Sequence, residues 1–332
     1  MINMRRITIK DIARELGIHH STVSRALRSS QEIKAETREL IIKFASEKGY
    51  HVNRSALQLR GAKSNIIGVI VPNVHHSFFS NFISIITRLA FKEGYIVTVF
   101  QSEESVDQEK EIIKSIIQQN IAGVIASLSM ETTNVSHFKL LDQYRIPLVC
   151  FDRVNASLLK STVVLDNKSA LNNVVLQLHR KGCSRMAYLS GDPFINLFQE
   201  RQNGYYMGLN EIKTLYKKCI IINNGFTIEN GFETTKQLFK ESEKPDALIL
   251  DSHFLAWGAL KYLKSQRGNL LDKIVIASFG GYPWLSLSAT NMLFIEQPEE
   301  KMANASFDLL RNAIINPENN EIKALMFQAE FV

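Results

Sequence analysis

"TIKDIARELGIHHSTVSRAL" occupies residues 8–27 and contains two short helical patterns separated by a glycine. Thr8 and Asp11 have the spacing of a capping box, which predicts that a helix begins here. Apolar residues then recur at every third or fourth position, as on the buried face of an amphipathic helix. Gly17 ends this helix, and a second helix begins within a few residues.

The second helix has an unusually polar surface. Val23 and Leu27 form its only apolar stripe. The side chains predicted to point outward carry hydroxyl, imidazole and guanidinium groups: His20, Ser21, Thr22, Ser24, Arg25 and Arg28. A face of this composition predicts a polar partner.

The charge distribution indicates the sign of that partner. The 332-residue chain carries a net charge of +6. Its first 63 residues contain 13 Lys and Arg residues but only six Asp and Glu residues, so this segment carries +7 and the remainder −1. A small basic segment attached to a nearly neutral body predicts binding to a polyanion such as DNA.

A third helical pattern, AETRELIIKFASEKGY, follows at residues 35–50. Its apolar residues are expected on one helix face: Leu40, Ile41, Phe44 and Ala45. Three short helices with a tight turn between the first two predict a helix-turn-helix domain over residues 1–50. The alternative is a three-helix bundle that merely has a polar surface.

In a helix-turn-helix the second helix lies in the major groove of double-stranded DNA. Arg25 is the leading candidate for a base contact, because a bidentate arginine to guanine is the commonest specific contact. His20 has an alternative role as an ordinary surface histidine. The full set of predicted contacts to bases or phosphates in this domain is Thr8, His20, Ser21, Thr22, Ser24 and Arg25.

Composition and motifs argue against several other classes of protein. No apolar run approaches the ~18 residues that span a bilayer, and no secretory signal is visible, so we expect a cytoplasmic protein with no membrane partner. The three cysteines are far apart, which fits reduced core thiols. No phosphate-binding loop or metal-site spacing occurs, so we expect no cofactor, no metal and no enzyme activity. The alternative is a kinase-like, sugar-modifying enzyme with an appended DNA-binding head.

From residue 66 onward, short apolar runs alternate with helical patterns. The first series of runs is IIGVIVP, YIVTVF, AGVIAS, IPLVCF and STVVL, and the second is RMAYLS, KCIIIN, DALIL and KIVIASF. Two such series predict an α/β core of two doubly wound parallel sheets with a cleft between them. We expect this core over residues 64–332. Its lobe one comprises about 64–165 plus 293–332, which includes the late strand MLFIEQ, and its lobe two about 166–292.

Ligands of open α/β sheets bind beyond the carboxyl ends of the strands. Several charged, polar or aromatic residues directly follow the predicted strands: Phe78, Phe79, Ser102, Asp152, Arg153 and His253. Such groups suit the hydroxyls or carboxylates of a small effector, and an aromatic ring can stack on a sugar. An alternative role for Asp152 and Arg153 is a structural ion pair. The alternative role for Phe78 and Phe79 is ordinary core packing.

Longer motifs add a family resemblance. TIKDIARELGIHHSTVSRAL, ETRELIIKFASEKGYHVNRSALQLR and IIGVIVPNVHHSFFSNF, with FDR at 151–153, RQNGY at 201–205 and FIEQP at 294–298, resemble the lactose-repressor (LacI/GalR) family of bacterial transcription regulators. The resemblance covers nearly the whole chain. It implies a core with the periplasmic sugar-binding fold, in which a sugar or sugar derivative controls operator affinity. Because one head buries little DNA surface, we expect a homodimer on a palindromic operator.

The resemblance also implies roles for individual residues. In this family the segment after the third helix is a hinge that folds on the operator and inserts one leucine per subunit into the minor groove. Residues 51–63 match that hinge, with Asn53, Ala56 and Leu59 at the matching positions and Leu59 as the wedge. Without the resemblance, a lone leucine in a basic linker is more often a packing residue.

In the core, the resemblance adds one predicted ligand and two departures. Arg201 matches an arginine that the family uses to hold ligand oxygens. Ser252 and His253 stand where members often place Asn-Asp, and Gly280 and Gly281 stand where members often carry an acid. Two ligand-binding carboxylates are therefore missing, and the effector need not be a familiar sugar.

Overall fold

The structure of the protein is a computed structural model that describes residues 7–27, 33–50, 64–222, 225–267, 269–280, 291–319 and 321–332. The described residues form two compact units, one within residues 1–63 and the other from Ser64 to Val332. Each unit has its own buried apolar core.

The described part of the first unit contains three helices: α1, Ile9–Leu16; α2, His20–Ala26; and α3, Ala35–Glu47. Thr8 begins α1 with a capping box, in which Thr8 and Asp11 exchange hydrogen bonds, as the spacing predicts. Gly17 ends α1 in the left-handed region, at φ 63°, which glycine adopts without a Cβ clash. α2 follows after a tight turn, so the first two helices form the predicted helix-turn-helix.

The apolar stripes of the three helices meet in one small core. Ile12, Val23 and Ile41 contribute one fully buried side chain from each helix, and the partners around them are Ala13, Ala26 and Ala45. The prediction that Leu40 also faces this core is wrong, because its side chain is 57% exposed. Neighbouring residues on a helix point about 100° apart, so Leu40 is turned away when Ile41 is centred on the core.

Sheet one of the second unit has six strands, and every neighbouring pair in it is parallel. In spatial order they are β11 (Ala324–Phe327), β5 (Ser161–Leu165), β4 (Leu148–Phe151), β3 (Gly123–Ala126), β1 (Ile66–Val71) and β2 (Ile96–Gln101). The helices of this lobe are α4 (Ser77–Lys92), α5 (Val106–Gln118), α6 (Ser136–Gln143) and α11 (Glu299–Ile315). Because helices cover both faces, the strands are apolar along most of their length.

Sheet two also has six described strands. In spatial order they are β12 (Glu330–Phe331), β10 (Met292–Glu296), β9 (Val275–Phe279), β8 (Ala247–Leu250), β6 (Met186–Ser190) and β7 (Lys218–Ile221). β12 pairs antiparallel to β10, and the other described pairs are parallel. The α-helices in the described residues of this lobe are α7 (Asn167–Arg180), α8 (Asn196–Glu211), α9 (Ile228–Leu238) and α10 (His253–Ser265). The predicted α/β core of two doubly wound sheets is confirmed, and all nine predicted runs contain strands.

The assignment of residues 293–332 to lobe one is wrong in part. β10 and β12 belong to sheet two, and only α11 and β11 return to lobe one. The chain therefore crosses between the lobes three times, after Leu165, after Glu296 and after Phe327. A short buried apolar run carries no signal for which of two similar sheets it joins, so its place depends on tertiary packing.

α7 and α8 approach each other closely in lobe two. A Cβ atom at Gly204 of α8 would lie 2.1 Å from the carbonyl oxygen of Lys168 in α7. This approach requires glycine, because nothing larger than hydrogen fits. It also fixes the position of α8, which carries Arg201 toward the other lobe.

Two further expectations can be compared with the structure. Cys150, Cys183 and Cys219 are free thiols, the first two of them buried. Among the helices of the described ranges, none combines the length and the apolar character that a bilayer crossing requires.

Candidate effector site and DNA-binding face

The polar face of α2 contains both exposed and half-buried side chains. His20 and Arg25 are exposed, whereas Ser21, Thr22 and Ser24 are half-buried. The opposite side of α2 is anchored in the core of the head. The head therefore presents a long cation and an imidazole on a rigid helix, with shorter hydroxyl groups between them.

Local hydrogen bonds hold the first turns of α1 and α2. Nδ1 of His19 lies 2.7 Å from Oγ and 3.3 Å from the backbone N of Ser21, which makes His19 the N-cap of α2. Oγ1 of Thr8 donates to Oδ2 of Asp11 over 2.6 Å. Both hydroxyl groups thus have a partner within the head, and only part of their bonding capacity is available to a phosphate.

The predicted hinge contacts Asn53, Ala56 and Leu59 lie outside the described residues. The outward-facing Arg28 does as well. Their roles stay predictions.

Six of the seven predicted effector residues line one cavity between the two lobes of the core: Phe78, Phe79, Asp152, Arg153, Arg201 and His253. Its volume is about 60 Å³, which is room for roughly four to six water molecules. The wall is completed by His76, Ser77, Leu197, Phe198, Phe226, Asp251, Ser252, Phe279, Gly280 and Gln297. Most of these residues lie just beyond the carboxyl ends of parallel strands, where ligands of this fold class bind.

Arg201 is held in a buried network at the lobe-two side of the cavity. Its Nη1 lies 3.0 Å from Oδ1 of Asp251 and its Nε donates to Asn167 over 2.8 Å. The guanidinium also stacks on the Phe279 ring, 3.4 Å from its centroid. Asp251 accepts further hydrogen bonds from the hydroxyl of Tyr188, at 2.8 Å, and from a backbone N–H. Arg201 is therefore preorganised. No hydrogen bond within the described residues engages its Nη2 group, which is left for a ligand.

Asp152 and Arg153 lie at the lobe-one side, and they are not paired with each other. Nη1 of Arg153 contacts both carboxylate oxygens of Glu104, at 2.9 and 2.7 Å. Asp152 accepts from Nε2 of Gln297, at 3.0 Å, and has a left-handed backbone at φ 58°. Burial raises the pKa of Asp152, although the charges of Arg153 and Arg201 oppose the shift. Strain and desolvation at one residue are typical of functional sites.

Two histidines close the cavity from opposite lobes. The rings of His76 and His253 meet edge to face with centroids 5.5 Å apart, and His76 also contacts Phe254. Burial, assisted by the charge of Arg153, lowers the pKa of His76 to about 3. Burial lowers the pKa of His253 to about 4. Both rings are therefore neutral at pH 7, and their contact across the cavity carries no charge.

Ser102 lies apart from this cavity, unlike the other predicted contacts. Its side chain is fully buried, and its Oγ lies 2.6 Å from Oγ of Ser129. The backbone N–H of Ser129 in turn donates to the buried Glu109. Ser102 follows β2, the edge strand of sheet one, so it lies too far to the side to face the cleft.

Phe78 and Phe79 are both core residues and cavity residues, so the alternative role as ordinary core also applies. Both belong to the main apolar cluster of lobe one and both line the cavity. The two rings contact each other edge to face, with centroids 5.3 Å apart. One face of this pair therefore supports the core while the other forms the cavity wall.

Several residues that build the site were not predicted from the sequence. They include the polar residues Asp251, Gln297 and His76 and the aromatic residues Phe198 and Phe279. Asp251 directly follows DALIL, so the strand-end argument that selected His253 applied to it as well. Gln297 lies in the FIEQP landmark. No local signal marks Phe198, which reaches the site only because α8 packs on α7.

Comparison with known proteins identifies the family. A family profile for bacterial regulatory proteins of the lacI family matches residues 8–53. A second profile, for periplasmic binding proteins and the sugar binding domain of the LacI family, matches residues 64–332. The chain belongs to the LacI family. The resemblance seen in its motifs is thereby confirmed, and the chain is a DNA-binding transcription regulator with a sugar-binding type of core.

Individual LacI-family proteins align over most of the chain. The ribose operon repressor of Halalkalibacterium halodurans is 25% identical over 304 residues, which cover 91% of this chain and 89% of that protein. The HTH-type transcriptional repressor CytR of Escherichia coli strain K12 is 28% identical over 304 residues, with coverages of 91% and 88%. These relatives are transcriptional regulators, so the enzyme alternative receives no support from them.

A solved LacI-family structure has the same fold. The lac repressor dimer bound to operator and the anti-inducer ONPF superposes with a TM-score of 0.84. The match covers 99% of this chain and 98% of that chain at 19% sequence identity. At this identity the likeness concerns the fold.

Proposed function

We propose that this LacI-family regulator acts as a homodimer on a palindromic operator and that a small molecule bound in the interlobe cavity sets its operator affinity. One observation carries the proposal. The cavity gathers Asp152 and Arg153 from one lobe and Arg201 from the other, so a ligand that bonds to all three favours the arrangement of the lobes in which these contacts are made. A ligand controls an equilibrium only through such differential contacts.

The head supplies DNA recognition in this proposal. Arg25 and His20 read base edges in the major groove, and Thr8, Ser21, Thr22 and Ser24 position the helix on phosphates. The exposure of Arg25 and His20 supports the first role. The internal partners of Thr8 and Ser21 make them auxiliary contacts.

The segment after the head connects recognition to regulation. We assign residues 1–50 to the DNA-binding head, 51–63 to the hinge and 64–332 to the effector core. Asn53, Ala56 and Leu59 contact the minor groove in this proposal, with Leu59 as the wedge. Support comes from the family resemblance of these positions and from the precedent of apolar side chains that kink DNA.

The core supplies the dimer contact. Edge strands of the two sheets carry exposed apolar side chains, with Ile96 and Val99 on β2 and Ile221 on β7. An exposed apolar edge favours pairing with a second copy, because it removes both apolar surface and strand edges from water. A transcription regulator of this kind works in the cytoplasm, where its DNA is.

Operator binding and its control are tested together. A footprint selects the operator from the DNA around the gene, and gel shift titrations with and without candidate sugars measure its affinity. We expect sedimentation to show a dimer, with one dimer per palindromic site and an affinity changed by typically 5- to 150-fold on effector binding. A monomer that binds the operator as tightly, or an affinity that no cavity ligand changes, contradicts the proposal.

A further inference from the structure

Two of the three carboxylates around the cavity, Asp251 and Glu104, are each engaged by several protein donors. Asp251 accepts from Arg201, from Tyr188 and from the backbone N–H of Gly191. Glu104 accepts from Nη1 of Arg153 and from a backbone N–H. Asp152 accepts from Gln297, and burial raises its pKa. Among the carboxylates described here, Oδ2 of Asp152 is therefore the main acceptor left for a hydroxyl group of a ligand.

Donors, in contrast, remain on the wall. A guanidinium has five N–H groups, and the contacts within the described residues engage only Nε and Nη1 of Arg201 and only Nη1 of Arg153. Both guanidinium carbons lie 5.9 Å from the centroid of the Phe198 ring, so the two cations flank the same part of the cavity. Their side chains are nearly fully buried, at 6% and 4% exposure, and a low local dielectric strengthens the hydrogen bonds that their remaining N–H groups make.

Two helix N-termini add to the donors. Ser77, Phe78 and Phe79 form the first turn of α4, and Leu197 and Phe198 belong to the first turn of α8. All five line the cavity, and neither helix has a side-chain hydrogen bond at its N-cap. Uncapped N–H groups and the helix dipole favour a negatively charged partner.

We propose that the effector carries an oxyanion, a carboxylate or a phosphate, on a small hydroxylated ring. The oxyanion bonds to the remaining N–H groups of Arg153 and Arg201 and to the first turns of α4 and α8. This inference rests on the proposed function, because it names the ligand class of the same cavity.

Gly280 offers a matched pair of variants. It lines the cavity, and its backbone lies at φ 71°, a region that Asn and Asp tolerate better than other non-glycine residues. A Cβ there would meet Nδ1 of His253 and Oγ of Ser77 at 3.6 Å, which is ordinary contact. Gly280→Asp therefore adds a negative charge to the site, and Gly280→Asn adds nearly the same shape without the charge.

The experiment measures by calorimetry the affinity of the full-length protein for two sets of sugars, each with a neutral parent and its anionic derivatives. The first set is glucose, glucuronate and glucose 6-phosphate. The second is ribose and ribose 5-phosphate. We expect an anionic member to bind at least about tenfold more tightly than its neutral parent, since each charge-assisted hydrogen bond contributes a factor of this size. Gly280→Asp should weaken the binding of that ligand about 100-fold, because two like charges roughly 6 Å apart repel each other at an effective dielectric constant of about 20. Gly280→Asn should weaken it far less.

Each result has a definite meaning. Preference for the phosphate alone, or for the carboxylate alone, supports the inference and identifies the oxyanion. A neutral sugar that binds as tightly as its anionic partners overturns it, as does equal weakening by Asp and Asn at position 280 or failure of every anionic member to bind. If a neutral sugar binds and changes operator affinity, the proposed function stands and only this inference fails. If cavity ligands bind without changing operator affinity, the proposed function fails instead.

Discussion

The buried ion pair between Arg201 and Asp251 should dominate the stability of the core near the cavity. Its side chains are 4% and 0% exposed, with Nη1 and Oδ1 3.0 Å apart. At this separation and an effective dielectric constant of about 20, the attraction is about 5 kcal/mol. Removing one partner of a buried pair costs about 3 to 5 kcal/mol, because the other charge stays buried alone. We therefore expect Arg201→Met to lower the free energy of unfolding by about 4 kcal/mol.

A double-mutant cycle isolates this pair from its surroundings. Asp251→Asn keeps an acceptor for the hydroxyl of Tyr188 but removes the charge, and it should cost a similar amount. The double variant should lose clearly less than the sum of the two single losses, with a coupling of about 1 to 3 kcal/mol. Urea denaturation of the full-length protein, followed by the far-ultraviolet circular dichroism signal, measures all four free energies.

The half-exposed pair between Lys218 and Glu241 provides the control, because its side chains are 35% and 43% exposed. Lys218→Met should cost less than about 1 kcal/mol, as screened surface pairs do. A cost of Arg201→Met no larger than that of this control, or losses from Arg201→Met and Asp251→Asn that simply add, would refute a strong coupling between the two buried charges. The same Arg201→Met protein should have lost its effector response, while operator affinity without effector changes little.

Three further predictions concern other parts of the chain. The pKa of His76 is lowered to about 3 in the folded protein, from about 6.5 when unfolded. The unfolded state therefore binds the extra proton below pH 6.5, and the stabilising effect of a neutral His76 is lost as the pH falls. Between pH 7 and pH 5, the free energy of unfolding of the wild type should fall by about 2 kcal/mol more than that of His76→Phe, as measured by denaturation at both pH values. Glu299, whose pKa is raised to about 7, has the opposite effect on stability, but this effect is the same in both proteins and cancels in the comparison. Gly204→Ala should lower the free energy of unfolding by about 3 kcal/mol or more, because its Cβ would overlap a backbone oxygen of α7, and normal stability would contradict the helix contact. Arg25→Ala should reduce operator affinity by about 1 to 3 kcal/mol with little change for random DNA, and competition gel shifts that show equal losses would make Arg25 a phosphate contact.

Local sequence patterns were sufficient wherever the structure depends on neighbouring residues. The Thr8 capping box and the Gly17 turn define α1 because both act within four residues of the helix end. The apolar runs of the core predicted two parallel sheets, since strands buried on both faces leave no polar alternation. Leu40 shows the limit of this reasoning, because a stripe at helical spacing does not define which residue is centred on the core.

Local sequence patterns predicted only part of the candidate site. The rule that ligands bind beyond strand ends correctly selected Asp152, Arg153 and His253, which line one cavity. It also selected Ser102, which follows an edge strand and is buried away from that cavity. The rule gives a position along each strand and says nothing about the place of that strand in the sheet. Strand order is a property of the assembled sheet.

The sequence by itself determined the class of protein: the basic head with a polar second helix, the two series of buried strands and the motifs of a regulator. Only the tertiary structure decided the partners of the charged residues. Arg201 is paired with Asp251, 50 positions away, and Arg153 with Glu104, 49 positions away. It also placed β10 in sheet two. The physical reason is that helix and strand signals act over a few residues, whereas ion pairing and sheet membership depend on groups that approach each other only after the lobes have folded.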